Sequence, residues 1–301
     1  MAVSRKYRLK EDEAFPEGVA RIARGRIDHA LDELRGKSES TPEDAVHEAR
    51  KDMKKLRALL RLVRGELGDK TFRRENALFR DAGRELAGVR DADVMLATLG
   101  ALEERHPGEL SEKAAGDLRQ ALEAHKIRTA AGTRGQASGA AIEMLEEARR
   151  RVATWPLERD GFEAVERGLR RVYGQGRSAW RAAAEEPTAE ALHEWRKRVK
   201  DLWYHCTILR ETWTPVMTAL ADEAHELSDR LGDDHDLVVL LAWAEEHGAA
   251  SAELEAVVAT RRRQLQAEAF AYGARLYADK PKVFVGRIAR WWRAPADATV
   301  A

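Results

Sequence analysis

The chain has 301 residues, in which 52 lysines and arginines balance 52 aspartates and glutamates. Hydrophobic residues make up 44% and charged residues 35%, which excludes an intrinsically disordered protein and predicts a globular one with a large core. Because the formal net charge is zero, general adhesion to nucleic acid is not expected, and anion binding would require cations clustered in one place.

The N-terminus and the cysteine content indicate in which cellular environment the protein is expected. Residues 1–15 are a short charged tail without the apolar core of a signal peptide, and no stretch approaches the length of a membrane span. Cys206 is the single cysteine, so no internal disulfide can form, and its apolar helical face predicts a core position. We therefore expect a soluble, cytoplasmic protein that does not interact with membranes.

From residue 16 onward the apolar spacing is helical nearly throughout, and glycine and proline interrupt it. It predicts a first series of helices at about 16–35, 43–64, 70–88, 91–105, 109–129 and 139–152. After a break at 154–161 it predicts a second series at about 161–181, 188–212, 214–231, 234–247, 252–276 and 281–292. Because strand signals are nearly absent, the sequence predicts an all-α fold.

Two stretches, 46–64 and 192–210, share the pattern H-x-x-R-K-x-x-K, which begins at His47 and at His193. Shifting the first helical series by the spacing of these histidines superposes it on the second, helix for helix. We therefore predict a duplicated helical bundle of two six-helix repeats related by a pseudo-twofold axis. Its predicted parts are residues 16–155, residues 156–293 and a C-terminal tail at 294–301.

Both stretches form amphipathic helices whose polar face is almost wholly cationic. The basic stripe of the first contains His47, Arg50, Lys51, Lys54, Arg57, Arg61 and Arg64. The stripe of the second contains His193, Arg196, Lys197 and Lys200, joined by Trp203 and Tyr204. Like charges one helical turn apart cost stability, so we expect a polyanion to compensate them. If both helices lie near the pseudo-twofold axis, their stripes line one central basic cleft.

On these two motifs and on the turn Arg90-Asp91-Ala92-Asp93-Val94, the chain resembles the CHAD family, the conserved histidine α-helical domain, over about residues 15–293. The resemblance implies two pseudo-symmetric helical bundles around a basic cleft. It also implies binding of inorganic polyphosphate and, as in some members, association with polyphosphate granules. Many relatives carry an upstream CYTH catalytic domain, but the E-x-E-x-K strand of that domain is absent, so we expect a stand-alone member without that hydrolase activity.

The predicted polyphosphate-binding residues are His47, Arg50, Lys51, Lys54, Arg57, Arg61, Arg80, Arg84, Arg90, His193, Arg196, Lys197, Lys200 and Tyr204. Arg80 and Arg84 extend the site from the third helix, whereas the corresponding helix of the second series has Asp222, Glu223, Glu226 and Asp229. Arg90 likewise aligns with Asp233 or a neighbouring acidic residue. We therefore expect asymmetric binding, weaker in the second copy.

Two questions stay open at the level of sequence. His47 and His193 can either contact phosphate or fix the helix start and the contact between repeats. The cluster Asp233-Asp234-His235-Asp236 resembles a metal site, but capping of a helix N-terminus explains it better. We expect no metal, no cofactor and no catalytic residues, because no Ser-His-Asp set, glycine-rich phosphate loop or carboxylate dyad stands out.

The leading hypothesis is non-enzymatic binding of polyphosphate. One alternative is binding of RNA or another nucleic acid by the same basic surface, with Trp203 or Tyr204 stacking on a base. A further alternative is an enzyme that processes polyphosphate, against which the lack of a carboxylate metal site argues.

Overall fold

The computed structural model describes residues 6–86, 91–130 and 134–294, with side chains described except at 91, 129–130 and 134–138. Within these ranges the chain folds into helices and contains no strand, which confirms the all-α prediction. The helices are α1 (Phe15–Leu34), α2 (Pro42–Leu62), α3 (Arg64–Glu85), α4 (Asp91–Arg105), α5 (Glu112–Ala130), α6 (Arg134–Arg151), α7 (Glu163–Glu185), α8 (Ala189–Ile208), α9 (Thr214–Glu246), α10 (Ala252–Leu276) and α11 (Pro281–Arg293). No helix of the described residues is long and apolar enough to cross a bilayer.

The two motif helices, α2 and α8, begin in the same way. The Thr41 side chain accepts a hydrogen bond from the Asp44 backbone N–H at 3.2 Å, and Thr188 accepts one from Ala191 at 3.2 Å. Threonine caps satisfy N–H groups that have no partner inside the helix, and Pro42 follows the first cap at a position where its missing N–H costs nothing. The caps therefore start both helices at matching positions ahead of the motif.

One predicted break is wrong. The sequence analysis places the end of one helix and the start of the next around Gly232, but α9 runs without interruption for 33 residues. A Cβ atom on Gly232 would lie 3.1 Å from a guanidinium nitrogen of Arg196, so this glycine makes room for a side chain of α8. Gly232 is therefore explained by the close packing of α8 on α9, and not by a turn.

Buried side chains form two hydrophobic clusters. The larger joins α1, α2, α3, α6, α7, α8, α11, the first part of α9 and the last part of α10, and it includes Leu59 and Leu202. The smaller joins α4, α5, the second part of α9 and the first part of α10, and it includes Leu99 and Leu240. Each cluster thus combines residues from before and after the proposed boundary at 155, and the division into two repeats stays a prediction.

A close backbone contact holds α7 against the C-terminal end of α2. A Cβ atom on Gly168 would lie 1.9 Å from the backbone oxygen of Leu62, a distance at which no side chain fits. Because α2 also packs on α8, this contact helps to set the position of the first motif helix relative to the second.

Candidate functional site

Hydrogen bonds join α2 directly to α8. The Nε2 atom of His205 donates to the Ala58 carbonyl at 2.9 Å, since a carbonyl oxygen can only accept. Arg61 of α2 donates to the Asp201 carboxylate of α8 at 3.0 Å. Tyr7, which precedes α1, donates its hydroxyl to the Lys55 carbonyl at 2.7 Å and meets the Tyr204 ring edge-on at 5.9 Å between centroids. These contacts fix how the two motif helices face each other.

Basic side chains of both helices come together beside this contact, in a set that we term the cation cluster (Arg50, Lys51, Lys54, Arg196 and Lys200). Desolvation and then the neighbouring Arg50 lower the pKa of Lys54 to about 8, with further contributions from Arg196 and Lys51. Desolvation and then Arg196 and Lys54 lower the pKa of Lys200 to about 8. Lys54 is nevertheless open to solvent. The cluster is thus a place where positive charge is crowded and where Lys200 is partly withdrawn from solvent.

The motif lysines fall into two kinds. Lys51 pairs with Glu48 at 2.7 Å, and Lys197 pairs with Glu194 at 2.5 Å, so the same ion pair occurs at the same place in both motifs. In the described part of the chain, neither Lys54 nor Lys200 forms an ion pair; their acidic neighbours act from a greater distance. An anion that enters the cation cluster would therefore meet Lys54 and Lys200 without displacing a carboxylate from them.

Four arginines extend the positive charge along α2 toward α3, and we term them the arginine group (Arg57, Arg61, Arg80 and Arg84). Desolvation and then Arg61 lower the pKa of Arg57 to about 10, and Arg80 and Arg84 contribute as well. Arg80 and Arg84 are exposed and lie 2.8 and 3.6 Å from the same carboxylate, Asp81. The structure thus brings both α3 arginines close to the stripe of α2.

The second motif histidine packs against α9. The rings of His193 and His235 lie 4.4 Å apart, and burial, then His235 and Lys197, lower the pKa of His193. Its Nδ1 atom is buried and has no hydrogen-bond partner among the residues that the structure describes. His47, at the equivalent position of α2, is half-buried. Both roles considered for these histidines stay open.

The two aromatic residues of the second stripe, Trp203 and Tyr204, pack against other aromatic rings. Tyr204 is 4% exposed and stacks on Trp203 with 4.7 Å between ring centroids. Trp203 also stacks on His225 at 3.9 Å. Tyr204 was predicted to contact phosphate, but this position suits packing between helices better than contact with an incoming polymer.

The acidic cluster of α9 does not cap a helix. Residues 233–236 lie in the middle of the continuous α9, so the interpretation as a helix N-terminus is wrong. Asp234 is buried and accepts hydrogen bonds from Arg262 at 3.0 Å and from Gln266 at 2.8 Å. Asp236 faces the cation cluster: burial raises its pKa, and Arg196, Lys200 and Lys54 oppose that rise. The described residues contain no group of three or more side chains suited to hold a metal ion.

Two other residues named in the sequence analysis are Arg90 and Asp229. Arg90 lies outside the described residues. Asp229, assigned to a solvent-facing surface by sequence, is half-buried and contributes to the electrostatic environment of Lys200.

Sequence reasoning missed Tyr7, Asp201 and Asp236 as parts of this region. Asp201 directly follows the motif residue Lys200. Its position on the face of α8 that packs on α2 was the sequence feature that could have predicted its contact with Arg61. Tyr7 had no signal, because its contact with Lys55 spans 48 residues of sequence.

Comparison with known families gives a match, whereas comparison with curated proteins gives none. The family model of the CHAD domain matches residues 21–245, which is well over half of the chain. The match includes both motif helices and almost all of α9. The chain therefore belongs to the CHAD domain family.

Proposed function

We propose that this protein binds inorganic polyphosphate without cleaving it, at the cation cluster and the arginine group. The observation that carries the proposal is the meeting of Lys54 and Lys200, which form no ion pair among the described residues and lie close to Arg196. Membership of the CHAD family, which is often linked to polyphosphate, supports it.

The physical argument concerns the cost of crowded charge. Cations that are desolvated and close together raise the free energy of the unliganded protein. A chain of phosphates supplies one negative charge after another at short spacing, which relieves the repulsion without displacing the ion pairs of Lys51 and Lys197. Arginine and lysine are both suited to phosphate oxygens, the first as a two-pronged donor and the second as a point charge.

The proposal includes a central basic cleft between two repeats related by a pseudo-twofold axis. Its support is the equivalence of the ion pairs Glu48–Lys51 and Glu194–Lys197, and the equivalent motif positions of Lys54 and Lys200. Binding in the cleft would be asymmetric. Arg80 and Arg84 add positive charge beside α2, whereas Asp229 and Asp236 add negative charge beside α8.

Calorimetric titration with long-chain polyphosphate tests the assignment. The variant Lys51→Ala/Lys54→Ala/Lys200→Ala removes three charges of the cation cluster, and the control Lys113→Ala/Lys280→Ala/Lys282→Ala removes three from exposed positions elsewhere. We expect the site variant to bind at least about tenfold more weakly, because one charge-assisted hydrogen bond contributes about 1.5 kcal/mol or more. The control should stay close to wild type. Equal losses in both variants would contradict the site.

Two further measurements separate the alternatives. At equal phosphate concentration, tighter binding of single-stranded RNA than of polyphosphate would favour nucleic-acid binding. Release of phosphate from polyphosphate in the presence of Mg²⁺ would favour an enzyme. Affinity for polyphosphate should also fall steeply with salt, and the slope should be shallower for the site variant, because fewer counterions are released.

A further inference from the structure

A pocket of about 430 Å³ opens between the N-terminal segment that precedes α1, the turn that follows α8 and the end of α11. Pockets of this volume are typical of sites that bind small organic molecules. No residue of the cation cluster or of the arginine group lines it, so its chemistry is separate from that of the proposed function.

Much of the pocket wall is apolar and aromatic. Leu9, Phe15 and Leu209 line it, and each is at most 4% exposed. Trp291 and Trp292 of α11 line it as well, and both are half-buried. These side chains can enclose the apolar part of a ligand, whose transfer out of water would favour binding.

Hydrogen bonds hold the N-terminal segment in place along this wall. The backbone N–H of Leu9 donates to the Ile208 carbonyl at 2.9 Å, and the backbone N–H of Phe15 donates to the Asp160 carboxylate at 2.7 Å. The segment is thus fixed on both sides of the pocket, and a ligand would not have to order it, which lowers the cost of binding.

Carboxylates outnumber cations around the pocket. Among the residues that the structure describes, the lining has a single cation, Lys10, and its carboxylates belong to Glu11, Glu13, Asp160 and Glu211. Arg21 pairs with Glu13, and Arg8 pairs with Glu211 at 2.9 Å. Glu11 and Asp160 form no ion pair within the described residues. One negative charge stays in excess even when both arginines are counted, so the pocket attracts cations and repels anions.

Two further features of the lining suit an ammonium group. The hydroxyl oxygen of Thr212 is buried and has no hydrogen-bond partner in the described part of the chain, and a hydroxyl can accept a bond from an N–H group. The Trp291 ring already lies 5.9 Å from the guanidinium carbon of Arg287, a cation that Asp279 balances at 2.6 Å. This indole therefore accepts a cation within the protein itself.

We propose that this pocket binds a small organic cation, an alkylammonium group whose apolar chain packs against the aromatic wall and whose charge is matched by Glu11 and Asp160. An anion would meet the excess of carboxylates. A purely apolar molecule would leave the buried Thr212 hydroxyl without a partner. The inference goes beyond the proposed function, because it assigns the chain a second site with the opposite charge preference.

Three ligands of equal chain length test the charge preference at neutral pH: n-hexylamine, n-hexanol and n-hexanoate. Fluorine NMR of the full-length protein, labelled with fluorinated tryptophan, reports binding at Trp291 and Trp292. The substitutions Trp291→Phe and Trp292→Phe assign the two signals.

We expect hexylamine to shift both signals and to bind at least about tenfold more tightly than hexanol, because it adds a charge-assisted hydrogen bond. Hexanoate should bind more weakly than hexanol. Unchanged signals with hexylamine, equal affinities of hexylamine and hexanol, or tighter binding of hexanoate would each overturn the inference.

The variant Glu11→Gln/Asp160→Asn removes two charges and preserves the shape of both side chains. Asparagine also keeps an oxygen that can accept the Phe15 hydrogen bond. This variant should bind hexylamine at least about tenfold more weakly and hexanol as tightly as wild type, which shows that the pocket is intact. The control Glu245→Gln/Glu246→Gln alters exposed carboxylates of α9 and should bind like wild type. Wild-type affinity for hexylamine in the site variant would contradict recognition by these carboxylates.

The same ammonium group occurs on a free amine and on the lysine side chain of a partner protein. Nα-acetyl-lysine methylamide, which carries the amine on a peptide backbone, distinguishes these sources. Tighter binding of hexylamine identifies a free amine as the ligand, whereas tighter binding of the lysine derivative identifies a lysine side chain. Both results agree with recognition of an alkylammonium group, and failure of both ligands to bind would refute it.

Discussion

Lys54 and Lys200 show how much the neighbours of a residue change its charge. Both occupy the last position of the shared motif. The sequence alone gives no reason to distinguish them from the other motif lysines, Lys51 and Lys197. The structure separates the two kinds, because Glu48 and Glu194 each pair with a lysine one turn away, whereas Lys54 and Lys200 form no ion pair with any residue that the structure describes. The unpaired lysines have a pKa of about 8, which makes the site sensitive to pH near neutrality.

Polyphosphate binding should therefore weaken as the pH rises from 7 to 9. Only the protonated amines attract the polymer, and the free protein loses those protons as the pH passes about 8. Near pH 8 binding should be accompanied by net uptake of protons, because the polymer raises both pKa values. Calorimetry in two buffers of different ionisation enthalpy measures this uptake.

The variant Lys54→Arg/Lys200→Arg is the matched control, because arginine stays charged throughout this range. Its affinity should change little between pH 7 and 9, and its proton uptake near pH 8 should be much smaller. Uptake equal to that of wild type would show that other groups are responsible.

His205 is a second residue whose charge the fold determines. It is fully buried, and burial lowers its pKa to about 4, so the ring is neutral where it donates to Ala58. The unfolded chain binds a proton on this histidine below about pH 6.5, whereas the folded protein does not. The free energy of unfolding should thus fall as the pH drops from about 6.5 toward about 4, by up to about 1.4 kcal/mol per pH unit from this group.

Urea unfolding between pH 4.5 and 8 measures this contribution. The variant His205→Phe should lose about 1 kcal/mol at pH 8 with the hydrogen bond, and its stability should depend less on pH than that of wild type. The exposed His247→Gln serves as the control and should keep the wild-type dependence. An unchanged pH dependence in His205→Phe would contradict the assignment.

At the scale of helices, a close contact at a glycine helps to set where the charged side chains lie. The approach of α7 to α2 at Gly168 is closer than any other residue type allows, since a Cβ atom there would lie 1.9 Å from the Leu62 oxygen. Backbone cannot give way as a flexible side chain can. The position of α2 beside α8, and with it the cation cluster, therefore depends on a residue that carries no functional group.

Gly168→Ala should reduce the free energy of unfolding by about 1–3 kcal/mol or more, as expected when extra atoms are forced into a packed interior. Gly286→Ala in α11 is the matched control, because nothing lies within 4 Å of its added Cβ atom. That change should stabilise the protein by about 0.5–1 kcal/mol, the usual gain from replacing glycine inside a helix. Denaturant unfolding compares the two, and similar effects of both changes would contradict the contact.

At the scale of the whole molecule, both hydrophobic clusters combine the two halves of the chain. Leu59 packs in the same cluster as Leu202, and Leu99 in the same cluster as Leu240. Neither half can bury its apolar surface alone in this arrangement. The two proposed repeats would thus form one cooperative unit, whatever the origin of their similarity.

A protein consisting of residues 1–155 should therefore lack a stable core of its own. We expect it to retain helical circular dichroism but to lose the sharp thermal transition of the full-length protein, because surfaces that face the second half are exposed. A transition as cooperative as that of the full chain would show that this half folds independently.

The sequence by itself determined the all-α class, most helix positions and the cationic faces of α2 and α8, and the CHAD resemblance read from those motifs is confirmed. These features depend on residues three or four positions apart, which helical periodicity exposes directly. The break predicted at Gly232 failed because glycine marks a close contact as readily as a turn.

Only the tertiary structure decided which charges meet. The proximity of Lys54 to Lys200, the placement of Asp201 and Asp236 among the cations, and the contact of Tyr7 with Lys55 all join residues far apart in sequence. Such contacts arise from the packing of whole helices around a shared core. A pKa depends on distance and hydration in three dimensions, and so the chemistry of the motif lysines could not be determined from their order along the chain.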